Sequence, residues 1–422
     1  MKLRVSPSTI TGTVKSSPSK SYSHRALVLG LLGDGRSTIR NVLLSGDTEA
    51  THRAVRQFGA RTSVSGDTVT VDGGRLTCPD DVVNTENSGT TIRIMAGVAS
   101  LLPCHTVLTG DESIRRRPMQ PLIDALREMG VECSSTRGNG LAPLIVRGPN
   151  TGKETHIRGD VSSQFISSLL ISSPPKDVDT NIVLTAPLKS RPYVEITMGM
   201  MREFGAEVEM TDNGFRVPGR QRYKATNYKV PGDYSSAAFM FVAGALGDGV
   251  VVSGLDPDDR QGDKIILHIL EDFGAQVIRG ASSVRALPGD LQAAEVDLSD
   301  APDLFPIVSV LATQAKGLTV IKNAEHVRHK ESDRIASTTD FLKTMGADVQ
   351  EKRDGCLIKG PTKLKGAEID SLGDHRILMA GTVAGLIAEG ATTISHGESY
   401  YVSYPRFLDD IKTLGGKVEL LP

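Results

Sequence analysis

Lys20, His24 and Arg25 stand among the hydroxyls of Ser19, Ser21, Tyr22 and Ser23 in the stretch PSKSYSHRALVLGLLGDGR (18–36), just ahead of the apolar run 26–30. The chemistry such a cluster suits is anion binding. The free N–H groups and dipole of a helix amino terminus already favour negative charge, and cations and hydroxyls beside it add to that preference. Six further segments have a similar make-up: NSGTTIR (87–93), RRRPM (115–119), SSQF (162–165), SRPY (190–193), HKESDR (329–334) and DHR (374–376). In the first of these Gly89 permits close backbone approach, while Ser88 and Thr90 can cap a helix or bond an anion.

Each segment also has a plainer reading. NSGTTIR and SSQF can be ordinary polar helix starts. The arginine run 115–117 can be a solvated charge run or a nucleic-acid patch, although no aromatic residues are interleaved with it. In HKESDR, Glu331 and Arg334 can pair at i, i+3 on a solvated helix face, or Glu331 can be a general acid or base tuned by Lys330 and Arg334. Asp303, in SDAPDLFPIV, can likewise be a helix cap or a working carboxylate. His326 and His329 form an HxxH, but no further ligand-rich cluster lies near it in the sequence, and a metal is not expected.

These segments need a scaffold that brings helix starts together, and the chain supplies one by repetition. The phrases VRQFGARTSV, LREMGVECSS, MREFGAEVEM, LEDFGAQVIR, LKTMGADVQE and IKTLGGKVEL centre on Gly59, Gly130, Gly205, Gly274, Gly346 and Gly415, at spacings of 71, 75, 69, 72 and 69 residues. Each reads as the end of an amphipathic helix, a glycine in the left-handed C-cap conformation, and a strand that follows at once. Several continue through a turn into a second strand, as in EVEMTDNGFRVPG and DVQEKRDGCLIKG, where NG and DG signal hairpins. Apolar segments upstream, such as TIRIMAGVASLL, FPIVSVLATQA and HRILMAGTVAGLIA, predict a second helix per unit. The reading is an α/β protein of six βαβαββ units, with the amino ends of the second helices at similar places in each.

Composition bounds the partners. At 422 residues the chain implies two to three domains. Lys and Arg number 48 against 50 Asp and Glu, so no global field draws it to nucleic acid or an anionic membrane, and any anion site must be local. The longest apolar stretches, such as AAFMFVAGALG (237–247), are shorter than the roughly 18 residues of a membrane span, and MKLRVSPSTITG has no signal-peptide core. Cys78, Cys104, Cys133 and Cys356 are far apart and form no CxxC pair, which predicts ordinary buried thiols in a reducing compartment, with neither zinc nor a disulfide framework. A soluble cytoplasmic protein is expected.

Taken in order along essentially the whole chain, PSKSYSHRAL, NSGTTIR, GDESIRRRPM, VSSQFISSLL, SRPYVEIT, PGDYSSAA, HKESDRI and GDHRILMA resemble the signatures of the 5-enolpyruvylshikimate-3-phosphate (EPSP) synthase family of enolpyruvyl transferases. Any one would be weak, whereas their colinear order is specific. The resemblance implies a two-domain enolpyruvyl-transferase-like fold with three βαβαββ units per domain and an active-site cleft between the domains. One domain would be 1–18 plus 231–422 and the other 19–230, with crossovers near 13–19 and 228–233. It also implies transfer of the enolpyruvyl group of phosphoenolpyruvate to the 5-hydroxyl of shikimate 3-phosphate, by a monomer with no metal or organic cofactor. Each substrate carries a phosphate and a carboxylate, which accounts for the many cationic helix starts.

By the same resemblance Lys20 touches both substrates. Ser21, Arg25, Ser162, Ser163, Ser190, Tyr193, Asp303 and Lys330 bind shikimate 3-phosphate, and Gln164 reaches from it to phosphoenolpyruvate. Asn87, Gly89, Arg93, Arg117, Arg334 and Arg376 surround phosphoenolpyruvate. Asp303 is the base toward the 5-hydroxyl, Glu331 serves the methylene carbon, and Lys20 is a further proton carrier. The chain departs from the family pattern at Val402, where lysine is common, at His326, where asparagine is common, and at Ser88 and Thr91, which replace alanines; sensitivity to glyphosate stays open. The sister transferase acting on UDP-N-acetylglucosamine is a lesser match, since its lysine–asparagine pair and Gly-rich loop cysteine are represented here by Lys20–Ser21 and by Cys104 in LLPCHT. A non-catalytic repeat scaffold would have no reason to place cations at comparable helix starts.

Overall fold

A computed structural model describes residues 1–422. The chain divides into two compact units, one made of Met1–Ser17 and Pro231–Pro422, the other of Pro18–Val230. Each has its own hydrophobic core.

The Pro18–Val230 unit contains six helices: α1 (Lys20–Leu32), α2 (Gly46–Gln57), α3 (Gly89–Ala99), α4 (Gln120–Glu128), α5 (Ser163–Ser172) and α6 (Arg191–Glu203). The other contains α7 (Tyr234–Leu246), α8 (Ile266–Asp272), α9 (Phe305–Ala312), α10 (Arg334–Thr344), α11 (His375–Leu386) and α12 (Phe407–Thr413). Odd and even helices differ in kind. Every residue of α3, α9 and α11 is buried, as is most of α1, α5 and α7. A helix that is apolar all round belongs inside, and each of these is packed among other helices. The even helices bury one face and leave charged residues on the other, as in α2 and α6.

Six four-stranded sheets complete the units, each combining one parallel pair with antiparallel neighbours. In one, Glu154–Arg158 runs parallel to Thr180–Ala186, whose other edge pairs with the hairpin Glu209–Thr211 and Gly214–Val217. Where the chain passes between units, a distant strand takes the vacant place. Asn227–Lys229 lies parallel to Gly35–Arg40, Gly12–Lys15 parallel to Val250–Ser253, and Lys2–Ser6 lies antiparallel between Thr392–Ser395 and Lys417–Leu421. All six βαβαββ units are thereby complete. The six repeat glycines have φ between 81° and 108°, the left-handed region that an L side chain resists.

One sequence expectation is overturned. Cys78 and Cys104 form a disulfide, with Cα atoms 6.2 Å apart. Cys78 lies in the connection after the strand Thr68–Gly73 and Cys104 in the turn after α3, so adjacent repeat units bring together cysteines that are 26 residues apart in sequence. Cys133 and Cys356 are buried free thiols, as expected, and burial pushes each up to about 12. No helix is long and apolar enough to cross a membrane.

Candidate active site

In the Pro18–Val230 unit, the cations stand where helices begin. Lys20 is the first residue of α1, and its ammonium pairs with Asp47, in the first turn of α2, at 2.8 Å. Arg25 lies one turn further on and is 1% exposed. It donates to Thr197 Oγ1 at 2.7 Å, the Ser21 carbonyl at 2.9 Å, Ser167 Oγ at 3.2 Å and the Tyr193 carbonyl at 3.3 Å. These acceptors are all neutral. Burial with no counter-charge pulls the guanidinium down to about 10.

The start of α3 is equally ordered. Ser88 caps it by accepting the Thr91 N–H, so the plain capping reading holds without excluding an anion there. A Cβ on Gly89 would come 2.8 Å from an Arg117 guanidinium nitrogen, so the missing side chain is what lets that cation lie against the helix end. Arg117 is buried and donates to Ser113 Oγ at 2.9 Å and Asn87 Oδ1 at 3.2 Å, and Asn87 donates to Asp111 at 2.7 Å. Arg93 donates to Gln164 Oε1 at 2.6 Å and rests over the Phe165 ring, 5.2 Å from its centroid. Gln164 in turn donates to Thr90 at 2.8 Å. Ser162 caps α5, whose first residue is Ser163. Ser190 precedes α6 at φ 54° and ψ 39°, a left-handed conformation that costs a non-glycine residue about 1–2 kcal/mol. Lys20, Ser21, Arg25, Asn87, Gly89, Arg93, Arg117, Ser162, Ser163, Gln164, Ser190 and Tyr193 therefore all lie at or near the starts of α1, α3, α5 and α6 or in the turn before α4.

The other unit holds a different arrangement, a buried ion cluster. Arg334, 1% exposed, pairs through its three nitrogens with Asp374 at 2.8 Å, Asp303 at 2.7 Å and Glu331 at 2.7 Å. Asp303 also accepts from Arg376 at 2.9 Å and has the Lys330 ammonium 3.7 Å away. Burial by itself would raise Asp303, but Arg376, Lys330 and Arg334 outweigh it and hold the carboxyl far below the usual carboxylate range. Burial opposes the charge on Arg334 too, yet Asp374, Glu331 and Asp303 together hold it above its ordinary value. Arg376 donates to the Ser235 carbonyl and lies over the Phe239 ring, 6.0 Å from its centroid.

Two alternatives left open by the sequence are decided. Asp303 is not a cap: it sits in the short turn Pro302–Leu304, Leu304 holds the cap position of α9, and the carboxylate faces cations. Glu331 and Arg334 do pair at i, i+3, but on a buried face, because Asp303 and Asp374 also converge on Arg334. Val402 ends the turn Ser399–Val402, and Arg406, four residues further along the chain, pairs with Asp410 at 3.2 Å. His326 is buried and His329 exposed, and no group of three or more His, Cys, Asp or Glu side chains is placed to hold a metal.

Sequence reasoning missed the carboxylates and hydroxyls that aim these cations. Asp374 is fully buried, receives Arg334 and caps α11 through the Arg376 N–H at 2.9 Å. Its position before a helix in DHR was the available signal. Asp47, Thr197, Ser167 and Asp111 left none, because their partners are distant in the chain.

Known proteins share the sequence and the fold of this chain. A family model described as EPSP synthase (3-phosphoshikimate 1-carboxyvinyltransferase) matches residues 5–411. Proteins named 3-phosphoshikimate 1-carboxyvinyltransferase are similar over nearly full length: that of Methanocorpusculum labreanum is 50% identical over 98% of this chain and 99% of its own, and that of Methanocaldococcus jannaschii 44% identical over 97% of each. An EPSP synthase structure from Acinetobacter baumannii superposes with a TM-score of 0.83 at 29% identity, covering 99% of this chain and 100% of its own. The enolpyruvyl transferase NikO from Streptomyces tendae, at 18% identity and a TM-score of 0.80 over 99% of this chain and 98% of its own, shares the fold. With its helix starts, its buried ion cluster and these relatives pointing the same way, the chain belongs to the EPSP synthase family.

Proposed function

We propose that this chain transfers the enolpyruvyl group of phosphoenolpyruvate to the 5-hydroxyl of shikimate 3-phosphate and releases phosphate, as a cytoplasmic monomer that draws every residue of the reaction from one chain. Family membership supports the reaction, and the observation that carries the residue roles is the buried convergence of Asp303, Lys330, Glu331, Arg334 and Arg376. Arg25, Ser21, Ser162, Ser163, Ser190 and Tyr193 bind shikimate 3-phosphate, with Lys330 and Asp303. Asn87, Gly89, Arg93, Arg117, Arg334 and Arg376 hold phosphoenolpyruvate, Gln164 serves both ligands, and so does Lys20.

The chemistry is addition followed by elimination. Glu331 delivers a proton to the methylene carbon, with Lys20 as a further carrier. The adjacent carbon becomes electrophilic, and the 5-hydroxyl attacks it while giving its proton to Asp303. The tetrahedral adduct then expels phosphate as its methyl group returns a proton to the Glu331 carboxylate, which restores the methylene of the enolpyruvyl product. A carboxylate held as far down as Asp303 is a weak base while Arg334 and Arg376 face it. Phosphoenolpyruvate occupying those two guanidiniums would take their charge from Asp303, which would raise its basicity when the substrate is in place.

The test is phosphate release. It should require phosphoenolpyruvate and shikimate 3-phosphate together, and release with UDP-N-acetylglucosamine in place of the latter would overturn the reading. Asp303→Asn and Glu331→Gln should each lower kcat by about 10²–10⁴ while KM stays within a few-fold.

A further inference from the structure

The first turn of α3 is fastened on two flanks. On one, Gln164 of α5 bonds Thr90 and Arg93 at 2.8 and 2.6 Å. On the other runs a chain of side chains that the proposed roles do not use. Ser88 Oγ lies 2.6 Å from Thr91 Oγ1, Thr91 Oγ1 lies 2.6 Å from Thr51 Oγ1 of α2, and Thr51 Oγ1 lies 2.6 Å from His24 Nδ1 of α1. All four residues are at most 1% exposed.

The spacing of these contacts is regular. Lys20 and His24 are one turn apart on α1, Asp47 and Thr51 one turn apart on α2, and the pairs form successive rungs, Lys20–Asp47 and His24–Thr51. Of these four, Thr51 is the one that also bonds α3. Burial first, then the nearby Lys20 and Arg25, keep the His24 ring well below its ordinary value, so it is neutral; its Nε2 is buried without a partner, and Nδ1 is its one bonded nitrogen. Each hydroxyl can donate once and accept, so the rungs are satisfied only in series. Removing the Thr51 hydroxyl strands His24 Nδ1 and unties Thr91 from α2, leaving Thr91 Oγ1 with Ser88 Oγ alone.

We propose that Thr51 is a positioning residue for phosphoenolpyruvate: it holds the start of α1, with Lys20, in register with the start of α3, with Gly89 and Arg93. The inference rests on the function proposed above. It predicts a selective effect, because the roles assigned to the start of α3 all concern phosphoenolpyruvate, whereas α1, with the Lys20, Ser21 and Arg25 that serve shikimate 3-phosphate, stays fastened to α2 through Lys20–Asp47 and to α5 and α6 through Arg25 when Thr51 is cut. Cutting the Gln164 flank would remove a ligand-binding residue, but cutting at Thr51 removes none.

The experiment compares Thr51→Val, which keeps the shape and deletes the hydroxyl, with Thr51→Ser, which keeps the hydroxyl. Thr51→Val should raise KM for phosphoenolpyruvate about tenfold, with KM for shikimate 3-phosphate and kcat within twofold of wild type, and Thr51→Ser should restore it. Unchanged kinetics in Thr51→Val, equal rises in both KM values, or a Thr51→Ser variant as impaired as Thr51→Val would each overturn the proposal. Should Thr51→Val not fold, Thr91→Val breaks the same chain at the next hydroxyl and is read by the same criteria. A wild-type chain that releases no phosphate overturns the functional reading together with this one, whereas an active wild type with an unaffected Thr51→Val overturns this one alone.

Discussion

Arg25 and Arg334 are each 1% exposed, one in each unit, and their charges are handled in opposite ways. Arg25 is cradled by two hydroxyls and two carbonyls, and burial pulls it down to about 10. Arg334 is ringed by Asp303, Glu331 and Asp374 and is held above its ordinary value. The helix caps follow the same division. α3 and α5 are capped by the Ser88 and Ser162 hydroxyls, while α7, α10 and α11 are capped by the Asp233, Asp333 and Asp374 carboxylates. A serine cap satisfies a backbone N–H and leaves the positive end of the helix dipole for a ligand; an aspartate cap neutralises it. The buried Arg25 of the Pro18–Val230 unit is thus met by neutral groups, whereas the other unit packs carboxylates among cations, and the proposed roles in anion binding and proton transfer rest on that division.

The largest effect that would break this contrast is on stability. Arg334→Ala leaves three carboxylates facing one another in a buried site and should cost about 3–5 kcal/mol, read by denaturant titration. Arg25→Met should change stability little or raise it, because Ser167 and Thr197 still bond each other at 2.8 Å and a buried charge is gone. Its KM for shikimate 3-phosphate should nevertheless rise roughly thirtyfold or more. If Arg25→Met destabilises as much as Arg334→Ala, the two arginines are not different in kind.

Next comes the cap. Ser162→Asp preserves an N-cap acceptor, so its melting temperature should match wild type, yet it sets a negative charge at the start of α5. KM for shikimate 3-phosphate should rise about tenfold, and an unchanged KM would mean that the serine caps reserve nothing. The smallest effect is in pH dependence. Lys176, buried in the Pro18–Val230 unit with the Gly152 carbonyl and Thr180 as partners, is pulled down to about 8 by burial. An unfolded lysine titrates near 10.4, so between about 8 and 10.4 the unfolded chain binds more protons and stability rises with pH; below about 8 the burial penalty is fully present. The melting temperature should therefore climb less over that window in Lys176→Met than in wild type. Asp303 gives a slope of the same sign by the opposite route: its depressed folded value is a stabilisation, present above the unfolded value of about 3.9 and lost as pH falls toward that folded value.

Local order in the chain carried much of the architecture. The six glycines, each between a helix end and a strand, announced six units, because left-handed backbone and helix periodicity are properties of neighbouring residues. Lys20, Gly89, Ser162 and Arg376 were recognisable as helix starts for the same reason. What pairs with them was not. Asp47 meets Lys20 across 27 residues, Thr197 meets Arg25 across 172, and Cys78 meets Cys104 across 26, distances over which no local pattern operates. Nor could local pattern show that Lys2–Ser6 closes a sheet built mainly from the last residues of the chain. Residue types by themselves determined which groups could bind an anion or move a proton. Whether a given cation is left with neutral acceptors, as Arg25 is, or is already neutralised, as Arg334 is, only the tertiary structure decided, because burial and the approach of distant carboxylates set the energy of a charge.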